Sequence, residues 1–568
     1  MTAPYPHPAH LQRLAQECAH LSHRTSQIAA ELAAMQAVPP PAPVAPTPAP
    51  AWTPAPPAVQ PPPPRRSWLS RAAEDGRLVG TVLAVTGVAV TVVGVGLLLA
   101  LAAQAGLLRP EVRVGAGALF ATCLAALAVR CRARGAEVGA VALAATGIAT
   151  AYLDVVAVTR LYHWVPTAVG LVLAAAVAGA GVAWARAWRS ERLALITVAP
   201  LIGVAPLVAG GVDLGLVWFM LVVAVACAAT SHRTPWAALP VAGVAGSSLW
   251  AIAAVVAAHL SDLDGGSLLA VACASTAAAG LVAGVSAVTR RVSETAAALA
   301  SAVGCAPALV CGLALGRGLA ASVLAAVAVA AAALVAWAAP SAVRTTWACL
   351  AAVASVIAIP TAVDAPVAVP ALLALAAVVT VVGRGDRVVA AVGTGLTAVG
   401  TIAYLGWSVP VETLATPISR TDGQTASAIV ASLLLIGAAA AQGGLHRQRP
   451  GASIAAGAVA LYGLTATPVT VGVSLGGPGA GFLAGHMAAT VLWVVAASVV
   501  LALTARMPAG PARRAPTAGA LTLAGAAVAK LVTFDLATLD GAFRVGAFVA
   551  AGLVLLAVGA RQARVRAV

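Results

Sequence analysis

The stretch LLALAAVVTVVGRGDRVVAAVGTGLTAV, which runs from Leu372 to Val399, decides the fold. Two apolar runs flank a short joint that carries Arg384 and Arg387. An apolar run of about twenty residues spans the hydrocarbon of a bilayer as a helix. The same alternation of run and joint repeats from Leu78 to Ala560. We therefore predict an all-α polytopic membrane protein with about eighteen transmembrane helices.

The predicted spans follow one another closely and leave only short joints. There is no room for a folded extramembrane domain after the first span, so a functional site would have to be formed by helices and their joints. We place the starts of the spans near Leu78, Val112, Ala136, Val165, Leu193, Leu214, Trp236, Ser267, Thr295, Leu319, Val343, Pro366, Val388, Gln424, Gly451, Gly481, Pro516 and Phe543.

The composition excludes a soluble protein. Hydrophobic residues make up 61% of the 568 residues, charged residues make up 9%, and the mean hydropathy is +0.97. Such a chain has too few polar residues to cover a soluble domain. The formal net charge of +15 would suggest nucleic acid in a soluble protein. Here the arginines lie at the ends of spans, so we read them as a topology signal and expect no nucleic-acid partner.

The distribution of basic residues predicts the orientation of the chain. With the amino terminus in the cytoplasm, twenty-six of the 33 basic residues lie on the inner side, and Lys530 lies in a span. Cytoplasmic joints are enriched in Lys and Arg. We therefore predict a multi-pass protein of the bacterial inner membrane with both termini in the cytoplasm. The six basic residues on the predicted outer side are Arg109, Arg113, Arg160, Arg317, Arg420 and Arg544.

The segment before the first span has a different composition. Residues 1–37 contain apolar positions between Leu11 and Met35 at alternating steps of three and four, which is the pattern of a short amphipathic or coiled-coil helix. Residues 38–77 form a tether rich in Pro and Ala that ends in basic residues, and residues 78–568 form the transmembrane domain. The helix either lies on a surface or mediates self-association or binding to a protein partner through residues 11–35.

Metal and cofactor motifs are weak. The eight cysteines contain no CxxC pair, so we expect free thiols. The group His259, Asp262 and Asp264 resembles a metal cluster but lacks a fourth ligand. No nucleotide-binding loop is present. We therefore predict no metal and no cofactor.

Two groups of residues are candidates for a functional site. Ionisable residues inside a membrane are costly and often functional. One group is Lys530, Asp535 and Asp540 near the last spans, which forms either a structural ion network or a substrate or proton site. The second group is the preferred site for a substrate or an anionic lipid headgroup, although Tyr162 and Trp164 beside it are also typical of an aromatic belt. Its members are Arg109, Arg113, Asp154, Arg160, His163 and Arg544.

Four stretches resemble a known family. They are LLRPEVRVG (107–115), GIATAYLDVVAVTRLYHWVP (147–166), APLIGVAPLV (199–208) and AKLVTFDLATLDGAFRVGAFVAAGLVLLAVG (529–559). The chain resembles, from about Leu78 to its end, the bacterial predicted membrane proteins known as domain of unknown function 2339. The resemblance implies a many-helix inner-membrane protein with an amino-terminal coiled segment and a proline-rich tether. It implies no catalytic residue.

Three functions fit these observations. The first is a transporter, flippase-like protein or scaffold that handles lipid-linked cell-envelope material, with membrane lipids and a lipid-linked envelope precursor as binding partners. The second is a membrane glycosyltransferase or acyltransferase that uses a lipid-linked donor, although the first outer joint contains one acid and is short. The third is an assembly factor without catalytic activity that recruits partners through its amino-terminal helix.

Overall fold

A computed structural model describes residues 109–261, 266–337, 340–446, 449–508 and 510–532, together with Val549 and Gly552. The regular structure in these ranges is helical. The helices are α1 Pro110–Ala133, α2 Glu137–Val156, α3 Thr167–Ala187, α4 Glu191–Ala209, α5 Leu214–Ser231, α6 Ala238–Leu260, α7 Gly266–Thr289, α8 Glu294–Val310, α9 Arg317–Val335, α10 Ser341–Ala362, α11 Ala365–Val382, α12 Arg387–Ala403, α13 Asp422–Leu445, α14 Pro450–Gly476, α15 Phe482–Ala505 and α16 Pro511–Lys530.

The helices confirm the predicted fold class. Each predicted start from Val112 to Pro516 lies within five residues of the start of one helix. Fourteen helical segments of the described chain are long and apolar enough to cross a membrane. One of them, Pro450–Ala505, contains both α14 and α15, and α16 is not among the fourteen. The predicted spans near Leu78 and Phe543 and the predicted coiled-coil helix lie outside the described residues.

Local chemistry determines where the helices begin. Ser190, Asp213 and Ser293 each accept a hydrogen bond from a backbone amide in the first turn of the helix that follows. Thr421 and Gln424 form a capping box at the start of α13. These side chains satisfy amides that have no partner within the helix. The joints in the sequence are therefore helix caps as well as breaks between apolar runs.

The helices pack as a row of antiparallel hairpins. Each odd-numbered helix packs against the even-numbered helix that follows it, from the pair α1 and α2 to the pair α15 and α16. Each even-numbered helix from α2 to α10 also packs against the next even-numbered helix, and further along the chain α11 packs against α13. A hairpin cannot bury its apolar surface alone, and stacking on its neighbours completes the burial.

This arrangement defines two faces. Odd-numbered helices end, and even-numbered helices begin, on the face that we call the arginine-rich face. It carries sixteen of the arginines of the described ranges, and the opposite, arginine-poor face carries five. The five are Arg109, Arg113, Arg160, Arg317 and Arg420.

Buried aromatic side chains join neighbouring helices. The Tyr152 hydroxyl of α2 donates to the Thr197 carbonyl of α4 at 3.1 Å. Trp347 of α10 donates from Nε1 to Ser301 Oγ of α8 at 3.0 Å. Both aromatic side chains have no exposed surface. Each bond satisfies a polar group that would otherwise be buried without a partner, and so fixes the register of two helices.

Two prolines inside helices lead to further hydrogen bonds between neighbouring helices. Pro206 of α4 has no amide hydrogen, so it cannot donate to the carbonyl of Ile202 four residues earlier. Trp250 of α6 donates to this carbonyl instead, from Nε1 at 2.9 Å. Pro370 of α11 leaves the carbonyl of Pro366 without its usual amide in the same way, and Ser427 of α13 donates to it. Each proline thus frees a carbonyl that a neighbouring helix binds.

Candidate functional site

The first element of the site is the end of α2. The helix continues beyond Val156 as a π-helical turn, Ala157–Leu161, which carries Arg160. His163 follows with a φ of 52° and is exposed. The rings of Tyr162 and Trp164 stack with their centroids 5.2 Å apart. The turn therefore presents a basic residue, a histidine and two aromatic rings together on the arginine-poor face.

The second element is a groove beside this turn. It has a volume of about 590 Å³ and is formed by parts of α2, α4 and α6 and by the joint after α4. Pro206 lies in its wall, and Trp250 is held there by its bond to the carbonyl that Pro206 leaves free. The lining residues are Val156, Arg160, Pro206, Leu207, Gly210, Gly211, Val212 and Trp250.

Gly210 allows the guanidinium of Arg160 to lie against the end of α4. This glycine caps α4 with a φ of 85°, which is a left-handed conformation that side chains disfavour. A Cβ at Gly210 would lie 2.5 Å from Nη1 of Arg160. Glycine is therefore required here both by the backbone conformation and by the close approach of the arginine.

The side chain of Arg160 lies in the groove without a described partner. Its guanidinium makes no hydrogen bond or ion pair with any residue in the part of the chain that the structure describes. Its surroundings in the groove are mostly apolar, and Leu161 and Leu207 beside it are 66% and 58% exposed. A guanidinium in such a setting can bind a phosphate or carboxylate group through two parallel hydrogen bonds. The apolar walls suit the hydrocarbon part of an amphipathic ligand.

The structure does not bring all members of the predicted site together. Asp154 lies outside the groove, because its carboxylate packs against Gly117 of α1. A Cβ at Gly117 would lie 2.2 Å from Oδ1 of Asp154. Arg113 lies one helical turn before Gly117 on α1, and Arg109 is the exposed residue that precedes the helix. The described part of the predicted site is thus divided between the groove around Arg160 and a contact between α1 and α2.

The second predicted group lies at the end of α16, far along the chain from the groove. Lys530 donates from Nζ to the carbonyl of His486 at 3.2 Å and to Oγ1 of Thr490 at 2.6 Å, so it joins α16 to α15. His486 is buried, and its ring packs edge to face against Phe482. The other predicted members, Asp535, Asp540 and Arg544, lie outside the described residues.

The group His259, Asp262 and Asp264 resembled a metal cluster in the sequence. His259 Nδ1 lies 2.9 Å from the carbonyl of Leu313, in the 3-10 turn Cys311–Leu313 that follows α8. Asp262 and Asp264 lie outside the described residues. Within the described ranges, no three His, Cys, Asp or Glu side chains lie close enough together to hold a metal ion.

Sequence reasoning found Arg160 but not the residues that form the groove around it. Gly210 and Trp250 were not among the predicted site residues. The signal for Gly210 was its position directly after a predicted helix, where glycine commonly adopts a left-handed conformation. Trp250 lies 48 residues from the carbonyl that it binds, and no local pattern shows such a contact.

Comparisons with known proteins give one family. The model of a family described as predicted membrane protein, domain of unknown function 2339, matches residues 79–419. This range contains the groove and the contact between Asp154 and Gly117. The stretch 529–559, which is one of the four stretches that resemble the family, lies beyond the matched residues. Searches of curated proteins and of solved structures gave no match for the chain.

Proposed function

The chain belongs to the family of predicted membrane proteins that share domain of unknown function 2339, and we propose that it binds the anionic headgroup of a membrane lipid in the groove around Arg160. The observation that carries the proposal is a guanidinium that bonds to no described residue and lies in a largely apolar groove beside exposed leucines. An amphipathic ligand places its phosphate on such a cation and its hydrocarbon along the apolar wall.

The wider role that we propose is the handling of lipid-linked envelope material, as a transporter, flippase-like protein or scaffold in the bacterial inner membrane. The arginine bias supports an orientation in which both termini are cytoplasmic and the groove faces outward. The helix α4, which contains Pro200 and Pro206, lines the groove, and proline-containing helices commonly form binding sites in transporters. The ligand chemistry that we infer is a phosphate ester, which a phospholipid and a polyprenyl phosphate share.

The other two functions have less support. A glycosyltransferase or acyltransferase would need acid and base groups near the groove, and Arg160 is the titratable residue that lines it. A role as an assembly factor depends on residues 11–35, which lie outside the described ranges, and stays a prediction.

Lipid binding can be measured on the full-length protein by native mass spectrometry. We expect the wild type to retain phosphatidylglycerol or a polyprenyl phosphate, and Arg160→Gln to bind the retained lipid about tenfold more weakly, since a charge-assisted hydrogen-bonded contact is lost. Inorganic phosphate in excess tests whether the free anion suffices. A preference for phosphatidylglycerol or for the polyprenyl phosphate shows which of these two lipids supplies the phosphate ester. Displacement of the lipid by inorganic phosphate shows that the free anion suffices.

Two further variants test the geometry. Arg317→Gln removes an exposed arginine from the same face and should leave lipid binding unchanged. Gly210→Ala keeps every charge but makes the guanidinium of Arg160 shift and strains a backbone with a φ of 85°, so it should weaken binding less than Arg160→Gln does. Lipid binding at the wild-type level in Arg160→Gln would contradict the proposed function.

A further inference from the structure

Asp154 differs from the other acidic residues in the described ranges. Glu111, Glu137, Glu191, Glu294 and Asp422 lie in the first turn of a helix, and the remaining ones lie in joints. Negative charge is favourable in a first turn because it faces the positive end of the helix dipole. Asp154 instead lies in the last turn of α2, inside a segment that is apolar enough to span a membrane. The helix continues through the π-helical turn to Leu161, so a negative charge at Asp154 lies inside the span and far from the positive end of the dipole.

The carboxyl group of Asp154 lies in the contact with α1, and the residue as a whole is half-buried. Its oxygens lie directly over Gly117, where a side chain would collide with them. Oδ2 is buried and has no hydrogen-bond partner among the described residues. No basic group of the described chain lies within ion-pair distance of Asp154.

The charged residues that face Asp154 come from the helices that pack around it. On α1 they are Arg113, one turn from Gly117, with Glu111 and Arg109 closer to the start of that helix. On α2 the next charge is Arg160, six residues and about 9 Å along the helix axis. The charged residues of α3 and α4, namely Arg186, Glu191 and Arg192, lie at the opposite, arginine-rich face.

We propose that Asp154 is a proton-binding site of the membrane domain. An ionised carboxylate without a partner in an apolar helix contact is far less favourable than the neutral acid. Binding one proton removes the charge, so the acid can lie against Gly117 without a counter-ion. This inference concerns a ligand, the proton, that is distinct from the lipid in the groove, and it holds whether or not Arg160 binds a headgroup.

An apolar carbodiimide can report the protonated acid in the full-length protein. The acid proton goes to one nitrogen of the carbodiimide while the carboxylate oxygen adds to its central carbon, so the adduct contains all atoms of both reactants. We expect mass spectrometry of the modified protein to find the adduct on Asp154 at about pH 7, with less adduct as the pH rises. Asp154→Asn should lose this adduct. The exposed acids Glu137 and Asp364 should react instead with a water-soluble carbodiimide at low pH.

Two results of the carbodiimide experiment would overturn the proposal. One is the absence of the adduct on Asp154 at about pH 6, where an unpaired buried acid is expected to be neutral. The other is an adduct that forms only in Arg113→Gln, which would show that Arg113 holds Asp154 ionised in the wild type. Infrared difference spectra give an independent measurement. The carbonyl band of a protonated acid should be present in the wild type and absent from Asp154→Asn, and a wild type without this band would also overturn the proposal.

Discussion

Three arginines of the arginine-rich face bind the ends of helices, whereas the side chain of Arg160 on the arginine-poor face binds no described residue. On the arginine-rich face, Arg132 donates to the carbonyl of Trp188 at 3.0 Å, and Arg344 donates from Nε to the carbonyl of Val335 at 2.9 Å. These carbonyls lie at the ends of α3 and α9, where the helices have backbone acceptors without partners. On the arginine-poor face, Arg160 lies against the end of α4 and bonds to no described residue.

The comparison shows that an arginine count and an arginine function are different properties. Many arginines on one face are a topology signal, and three of them, Arg132, Arg290 and Arg344, also donate to carbonyls at the ends of helices. Arg132 additionally lies over the ring of Trp188, with 4.8 Å from its guanidinium carbon to the ring centroid. A guanidinium that already has such partners is less available to a ligand. Arg160 makes no side-chain bond to a described residue and also lines the groove, and this combination makes it the better candidate for binding.

The largest expected effect tests the capping role. Arg290 donates from Nη1 to the carbonyls of Ser231 and Thr234, and thus ties the end of α7 to the end of α5. Arg290→Ala leaves these carbonyls without the charged donor, so we expect it to lower the free energy of unfolding by about 2–3 kcal/mol. Thermal unfolding in detergent measures the change.

The neighbouring residue provides a matched control. Arg291 is exposed, has a φ of 53°, and makes no side-chain hydrogen bond to another described residue. Arg291→Ala should leave the stability nearly unchanged. Equal losses in Arg290→Ala and Arg291→Ala would show that charge on this face, rather than capping, determines stability.

Much of the fold could be predicted because it depends on local chemistry. The lengths of the apolar runs and the arginines between them located the described helices. A bilayer requires each span to have about the same length and to satisfy its backbone hydrogen bonds within a helix. The joint GRGDR at 383–387 was recognised as a break, and its Asp386 also caps α12. The candidate site could be predicted only in part. The close approach of Arg160 to Gly210, and of Asp154 to Gly117, depends on which helices become neighbours, and sequence periodicity does not encode this.

A smaller effect is expected at the joint before α12, where Asp386 caps the helix and pairs with an arginine of the arginine-rich face. Asp386 accepts hydrogen bonds from the amides of Val388 and Val389 at 2.8 and 3.2 Å, and it pairs with Arg344. Partial burial raises the pKa of Asp386, but the hydrogen bonds to its ionised form outweigh burial, and the pKa lies below its ordinary value.

The lowered pKa gives the sign of the pH dependence. Stability from the ionised Asp386 is present above the unfolded pKa of about 3.9 and is lost as the pH falls through the folded value. Asp386→Asn keeps a capping side chain but loses the charge, so we expect it to cost about 1 kcal/mol at neutral pH. Unfolding followed at a series of pH values should show the difference from wild type shrinking below about pH 4. A difference that is constant with pH would contradict this assignment.

The smallest effect is expected on the arginine-poor face, where Arg317 pairs with Asp364 at 3.1 Å. Both side chains are more than three-quarters exposed, and exposed pairs contribute little because water screens them. Arg317→Gln should therefore change the free energy of unfolding by less than about 0.5 kcal/mol.

Arg160→Gln should change the free energy of unfolding equally little, because no described residue loses a hydrogen bond. The two variants should differ in lipid binding alone, measured on the same samples as the unfolding curves. A loss of stability in Arg160→Gln without a loss of bound lipid would make Arg160 another structural arginine and would remove the contrast between the two faces.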